Sequence, residues 1–542
     1  MAPLLSRKSV VFVSKHPVSH GQAQDSLTAA EASGESNLSP GLGSAGISFL
    51  VNALLVLVSA VVTSRLYGVQ LIGLYALSIA PWQLLVSLST VSEQVAMVRA
   101  LAQMRPGSDE ATGLFFAVFV ASVGLTILMA VPVMLISRLV LSGPIDQPDT
   151  IAPAMLILAG YVLLENPGWN LDSVLSAFSQ GKSLFWARFS VVFSFLVATV
   201  LLRAFTASIW GLAIGTVVSF AVGLVVRIVL IRGMINPLPT REHLRLGARR
   251  LPTLLRFGLG LVPGQVFIGA TLQLPLIIVA NSVGLREVGA YSRASTMAVR
   301  LNEAGFRINE MLFPDLVRYK VGDDMAGFAA TLKRVVRLAL IGLALIGSIA
   351  GGAAEAVMGI FGDGFSSAAG ALTLLVLVHV CYVSASVIGS GFNALGRPYL
   401  NSMCSAIRFF VGLSLVVILT SRYGVTAAAG GLLVGYVVEV GARVFWFHRL
   451  LGGQHGWLID GRDVFGLVVS YGATFGVIRL LSLPLGHGPL SIVVGTVVGA
   501  LMFLAVSSAT GLLDQQDRVM VGGAFNKVRR RRQVPHGPSQ GP

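Results

Sequence analysis

Three arginines and two glutamates fall inside Val288 to Pro314, a segment long enough to span a bilayer. At 100° per residue Arg293, Arg300 and Arg307 stack a heptad apart, with Glu303 and Glu310 beside them in an arc of roughly 100°. Met297, Val299, Leu301, Ala304, Met311 and Leu312 cover most of the remaining surface. A charge at the bilayer centre costs about 2.5–3.5 kcal/mol even on the lenient insertion scale, so this face must meet protein or a water-filled cavity. The charges also offer one another partners. Glu303–Arg307 is an i, i+4 pair, and Arg300–Glu303 and Arg307–Glu310 are i, i+3 pairs. That neutralises two arginines and leaves Arg293 over, which favours a face turned to a ligand.

The elements that position this face are membrane spans. Of 542 residues 54% are hydrophobic and 12% charged, half the charged share of about a quarter in a soluble chain. Apolar runs recur along the chain and predict an all-α polytopic membrane protein of about 14 transmembrane helices. The net charge of +15 does not point to nucleic acid, because the basic residues gather on alternate loops as the positive-inside rule requires. Lys8, Lys15, Arg105, Lys182, the Arg232–Arg256 loop, Arg318 to Arg337, Arg397 and the tail Lys527–Arg532 share one side, whereas the opposite loops carry mostly single arginines such as Arg138, Arg203 and Arg422. Both termini then lie on the cytoplasmic side. Cys381 and Cys404, the only two cysteines, fall inside spans, so neither a disulfide framework nor a metal-ligand cluster is expected. The arginine-rich, Ala/Gly/Val-rich composition points to a bacterial gene.

Residues 1–43 read as a disordered cytoplasmic tail, since they lack an apolar core and a cleavage site. Residues 44–231 hold the first six spans. Gly68, Gly73 and Tyr75 close the first of them, and Gly284, Gly289 and Tyr291 repeat the spacing 216 positions later; Gly181-Lys182 returns as Gly396-Arg397 at an offset of 215. The shared offset predicts a duplicated six-helix unit, two lobes related by a pseudo-two-fold axis along the membrane normal, with the binding site between them. The second lobe is 254–450. Its charged span has no counterpart in the first, where Leu77, Leu84 and Val91 stand in for the three arginines.

A basic loop, 232–253, joins the lobes and has the makings of an amphipathic helix on the inner leaflet, acting as topology anchor and linker. Gly258, Gly260, Pro263, Gly264 and Pro275 in the seventh span predict a bent or broken helix, a candidate hinge at Gly260, Pro263, Gly264 and Pro275. Glu93, Glu165 and Asp172 are candidate ion-coupling residues; Glu165, Trp169 and Asp172 share a helical face. Glu439 and Arg408, near span ends, read as snorkelling or paired, and His379 as a proton carrier by its ordinary pKa or as a hydrogen-bond partner of a neighbour. An accessory two-helix hairpin, 461–513, and a basic cytoplasmic tail, 514–542, complete the chain.

Arg65-Leu-Tyr-Gly68 with Gly73 and Tyr75, LRFGLGLVPGQ from Leu255, VGLREVGAYSRA from Val283, LFPDL from Leu312, FGDGFSSAAGAL from Phe361 and FNALGRP from Phe392 occur in an order and spacing that resembles the polysaccharide-transporter and O-antigen flippase (Wzx-like) family of the multidrug/oligosaccharidyl-lipid/polysaccharide exporter superfamily. The resemblance covers roughly residues 44–450. It implies two six-helix lobes that rock around a central cavity lined by the first, second, seventh and eighth spans, and a polyprenyl-diphosphate-linked glycan as cargo. Arg65 would be the family's arginine closing the first span. Where many relatives carry an acidic–basic pair in the seventh span, Pro275 and Leu276 stand here, so no charge pair is carried over.

The expected activity is translocation of a polyprenyl-diphosphate-linked oligosaccharide across the bacterial plasma membrane, without catalysis, cofactor or metal. Arg293, Arg300, Arg307 and Arg65 would bind the diphosphate, because a guanidinium is a permanently charged planar donor suited to phosphate oxygens. Glu303 and Glu310 would support them. Lipids and possible glycan polymerase or glycosyltransferase machinery are the expected partners. Competing readings are a lipid II flippase, a small-molecule exporter of the multidrug type, which the arginine excess disfavours, and a non-transporting envelope-assembly scaffold.

Overall fold

A computed structural model describes residues 51–84, 97–98, 100–142, 148–236, 239–259, 262–451, 456–486 and 488–513. Both expected tails lie outside them, as do Glu93 and Gly260. The described regular structure is helical, and nine of its helices are long and apolar enough to cross a membrane; Val266–Ser282 is a shorter apolar one. In chain order these are α1 (Val51–Leu84), α2 (Asp109–Ser142), α3 (Pro148–Gly160), α4 (Asn166–Ala177), α5 (Gly181–Arg203), α6 (Ile209–Leu230), α7 (Arg241–Leu259) and α8 (Val262–Ser282). There follow α9 (Leu285–Ala298), α10 (Leu301–Val321), α11 (Met325–Gly352), α12 (Ala354–Gly359), α13 (Ala369–Ala394), α14 (Tyr399–Leu450), α15 (Gly461–Leu485) and α16 (Pro489–Ala509).

At 1.5 Å per residue the 52 residues of α14 would reach far beyond a hydrocarbon core of about 30 Å. The helix is in fact two limbs. Gly424 takes φ 70° and ψ −159°, a conformation open to glycine, and the limbs fold back on each other. Gly435 then lies against Gly412, and Gly431 against Leu415 and Val416. Gly68 interrupts α1 in the same way, with φ 76°.

Close backbone approach recurs because helices in lipid gain no hydrophobic drive from meeting one another and rely on van der Waals contact, which small residues maximise. This gives the 61 glycines a use: Gly215 and Gly223 of α6 take Thr199 and Val191 of α5, and Gly247 of α7 meets Gly113 of α2. The strongest packing falls within two groups, α5 on α6, α2 on α7 and α3 on α6 in the first, and α13 on α14, α14 on α8 and α11 on α13 in the second. The last two helices pack on each other, and α15 packs on α11.

Two stretches depart from regular α-helix close to charged residues. Between α3 and α4 the residues Tyr161–Glu165 form a π-turn, in which the Asn166 amide reaches back five residues to the Tyr161 carbonyl. Pro167 has no amide proton to continue the regular ladder, and the extra residue is accommodated at that point.

The charged segment also differs from the sequence expectation of one continuous face. α9 ends at Ala298 and α10 begins at Leu301. Across the junction Arg300, Asn302 and Glu303 donate to carbonyls three residues back, at 3.3, 3.0 and 3.3 Å, a 3₁₀-type tightening. Such a turn advances about 120° per residue instead of 100°. The charged segment is therefore two helical pieces joined by a tightened turn and not one continuous α-helix.

Candidate ligand-binding face between the two halves

Arg293 projects from α9 onto α1. Its Nε donates to Ser64 Oγ at 2.7 Å and its Nη2 to Thr63 Oγ1 at 3.3 Å. Both hydroxyl protons are already committed along the helix, from Thr63 to the Ser59 carbonyl at 2.7 Å and from Ser64 to the Ala60 carbonyl at 2.6 Å. Each oxygen therefore turns a lone pair to the guanidinium. The arginine is half-buried and its hydrogen-bond partners are neutral oxygens. Neutral hydroxyls satisfy donors without cancelling charge, so an anion reaching Arg293 gains more than the hydroxyls it displaces. Changing Thr63 and Ser64 together to alanine removes both acceptors. The expected result is tighter binding of inorganic pyrophosphate to the purified protein, by about tenfold per 1.4 kcal/mol of competing hydrogen bonding removed, read by calorimetry. Unchanged or weaker binding would place the anion elsewhere.

Two turns away the halves meet backbone to backbone. A Cβ on Gly73 would strike the Leu285 carbonyl oxygen, and one on Gly289 would strike the Val69 carbonyl oxygen. Leu285 follows Val69 by the same 216 positions that separate Gly289 from Gly73, so the contact is reciprocal, as a two-fold axis requires. On this side Arg65, exposed, donates from Nε to the Ile360 carbonyl at 2.8 Å. A cavity of about 780 Å³ lies beside it, lined by Arg286, Glu287, Glu355, Gly364 and Ser367. Arg65 therefore joins α1 to the turn at Ile360, just after α12, through this hydrogen bond.

Arg300 pairs with Glu303, Nη1 to Oε1 at 2.8 Å, as the i, i+3 spacing predicts. Arg307 and Glu310 lie on α10, and their side chains fall outside the described residues. Of the hinge candidates, Pro275 sits within the helical run of α8, which starts at Val262, and Gly264 rests on Ser402 of α14. Pro263 is in the first turn of α8, its side chain outside the described residues.

Glu165 and Asp172 meet at one arginine that the sequence pattern did not single out. Arg227, 2% exposed, donates from Nε to Asp172 Oδ1 at 2.8 Å and from Nη1 to Glu165 Oε2 at 3.3 Å. Trp169 Nε1 donates to Glu165 Oε1 at 3.0 Å, which fits the shared face expected for 165, 169 and 172. Arg188 approaches Asp172 at 3.8 Å from an exposed position.

The second half buries a cluster of the opposite balance. Glu439 accepts from Arg408 Nη1 at 2.7 Å and from Arg443 Nη2 at 2.7 Å, all three inside the helix pair of α14. Arg408 also lies over the Tyr436 ring at 4.7 Å. These contacts bear out the paired reading of Arg408 and Glu439. His379 Nδ1 lies 2.9 Å from Asn302 Oδ1, the hydrogen-bonded of the two roles expected for it. Arg443 follows Arg227 by 216 positions, a third instance of the repeat spacing. Scanning the basic residues at that offset would have found both.

The described helices and the glycine crossings make a polytopic helical fold with membrane-spanning segments. The fold is similar to that of a lipid II flippase, MurJ, in an inward closed conformation, with a TM-score of 0.64 at 13% identity over 86% of this chain and 98% of that one. It is also similar to a Vibrio cholerae MATE transporter, with a TM-score of 0.54 at 20% identity over 77% and 98%. An inward-facing MATE multidrug resistance transporter of the MOP superfamily gives 0.51 at 13% identity over 72% and 95%. No curated protein sequence matches the chain. The chain belongs to the polysaccharide biosynthesis protein family, whose model matches residues 62–370, more than half of its length.

Proposed function

We propose that this protein is a flippase that carries a polyprenyl-diphosphate-linked oligosaccharide from the cytoplasmic to the outer leaflet of the bacterial plasma membrane, for exopolysaccharide or cell-wall glycan export. The observation that carries this reading is Arg293, a half-buried cation held at the meeting of the two halves by neutral hydroxyls. A diphosphate cannot cross hydrocarbon unpartnered, because its charges would lose their hydration with nothing in exchange. Arg293 and, across the 3₁₀ turn, Arg300 offer guanidiniums to the headgroup, and Arg307 follows two turns further along α10. Glu303 holds Arg300 until the headgroup arrives.

In this reading the halves are lobes and both termini are cytoplasmic. The Arg65 end faces outward and is closed, and the headgroup enters from the arginine-rich side while the polyprenyl chain stays in lipid. Opening the outer end separates Arg65 from Ile360 and α9 from α1. With the cell interior negative, an anion moving outward gains about 2.3 kcal/mol per charge per 100 mV, so the membrane potential drives the step if no protein charge moves in compensation. Glu165 and Asp172 share the buried Arg227, with Arg188 also 3.8 Å from Asp172, and are the carboxylates that would exchange a proton or sodium ion if transport is ion-coupled.

Depleting the protein should leave lipid-linked oligosaccharide on the cytoplasmic leaflet, identified by mass and by its protection from an external glycosidase. Arg300→Gln with Arg307→Gln should abolish translocation, at least about tenfold for each 1.4 kcal/mol of headgroup binding lost, with normal amounts of folded protein in the membrane. Full transport by the double variant would sink the mechanism, and depletion without accumulation of any polyprenyl-linked glycan would sink the flippase assignment.

A further inference from the structure

The helix α7 joins the halves, yet it is fastened to only one of them. Thr240 and His243 cap its start reciprocally: the His243 amide donates to Thr240 Oγ1 at 3.3 Å, and the Thr240 amide donates to His243 Nδ1 at 3.1 Å. With Nδ1 accepting, the ring proton sits on Nε2, which lies 3.0 Å from Asp109 Oδ1 at the start of α2. One turn on, Gly247 rests on the Gly113 carbonyl so closely that a Cβ at either residue would clash with the other helix. Arg250 Nη2 donates to Glu110 at 2.9 Å. Capping box, ion pair and glycine contact together clamp α7 to α2.

The clamped face is narrow. His243 and Gly247 are buried and Leu251 half-buried, three positions an α-turn apart. Arg241, Arg245 and Arg249 form a parallel stripe about 160° around the helix from them, all three exposed and none in an ion pair among the described residues. Leu244 and Leu246 flank the stripe at 39% and 37% exposure. The helix has little room to leave the membrane surface. α6 ends at Leu230 and α8 begins at Val262, so α7 hangs between two spans on short connections. A stripe of unpaired guanidiniums with apolar edges, tethered at that level, matches a layer of lipid phosphates above acyl chains.

We propose that Arg241, Arg245 and Arg249 of α7 bind the phosphate headgroups of anionic phospholipid, so that the leaflet at the arginine-rich end holds the first half of the protein through this helix. The proposal concerns the host lipid and stands whichever cargo is carried. Because α7 is clamped to α2, lipid held on it restrains the first half of the protein.

The test is native mass spectrometry of the full chain released from nanodiscs of phosphatidylglycerol and phosphatidylcholine. The wild type should retain phosphatidylglycerol selectively, and less of it as salt is raised. With about 1 kcal/mol per basic residue near an anionic surface, the Arg241→Gln/Arg245→Gln/Arg249→Gln variant should lose selectivity by up to roughly 100-fold. The corresponding triple lysine variant, which keeps the charge, should retain most of it and controls for folding. Equal phosphatidylglycerol retention by wild type and glutamine variant would overturn the proposal. So would retention of added undecaprenyl diphosphate in place of phosphatidylglycerol, since the stripe would then be a loading site for cargo. Loss of transport by the Arg300/Arg307 variant with lipid selectivity intact leaves this proposal standing, so the two readings fail separately.

Discussion

Gly289→Val should stop transport by holding the Arg65 end of the protein apart. The added branch has no space, because even a Cβ on Gly289 collides with the Val69 carbonyl, and the mirror position Gly73 is equally closed by Leu285. Backbone cannot yield as a flexible side chain does, so α1 and α9 must separate. Overpacking of this kind costs about 1–3 kcal/mol, which lowers the population of the closed state by roughly 5–150-fold. A transporter that alternates between two closures then stays in the other one. The check is a bifunctional thiol reagent bridging Arg65→Cys and Ile360→Cys, whose parent residues are hydrogen-bonded at 2.8 Å. Cross-linking should be strong in the parent and largely lost with Gly289→Val, and Gly73→Val should behave alike. Undiminished cross-linking together with normal flipping would mean that the crossing plays no part in closure.

Arg227→Met should destabilise the protein more than any single change in the charged segment. Arg227 is the buried cation for both Glu165 and Asp172, and removing it leaves Glu165 without its cation and Asp172 with only the exposed Arg188 at 3.8 Å. Breaking a buried ion pair on one side typically costs about 3–5 kcal/mol, because the remaining charge is left uncompensated. Arg443→Met removes the equivalent arginine of the second half, but Glu439 keeps Arg408 at 2.7 Å, so its loss should be smaller. Thermal unfolding in detergent orders the two variants. Combining Arg227→Met with Glu165→Gln and Asp172→Asn should recover much of the lost stability, since no buried charge then remains unpaired. If Arg227→Met unfolds at the temperature of the wild type, the cluster is hydrated and the charges need no partner.

The all-helical, membrane-spanning character and the pairing of Arg300 with Glu303 are legible because they depend on hydropathy and on short-range spacing, which a sequence displays directly. Three things are hidden, each for its own reason. Arg227 lies in the last turn of α6, where an arginine reads as a snorkelling anchor, and its partners stand 55 and 62 positions earlier. The 3₁₀ turn at Val299–Arg300 carries neither glycine nor proline, so nothing in the sequence marks where α9 gives way to α10. The partner of Arg65 is hidden too: its acceptor, the Ile360 carbonyl, is 295 positions away and belongs to backbone, which no residue pattern advertises.

The reciprocal crossing of Gly73 and Gly289 also bears on how such a chain arose. If the two halves descend from one ancestral subunit, these glycines were once the same residue touching its own copy in a symmetric pair. A substitution at a self-contacting position is felt twice at once, with no second partner able to give way. Fusion of the two copies into one chain would have removed that restriction everywhere else along the axis, letting Leu77 and Arg293 become different residues. At the crossing itself the geometry still imposes it, and both descendants have remained glycine.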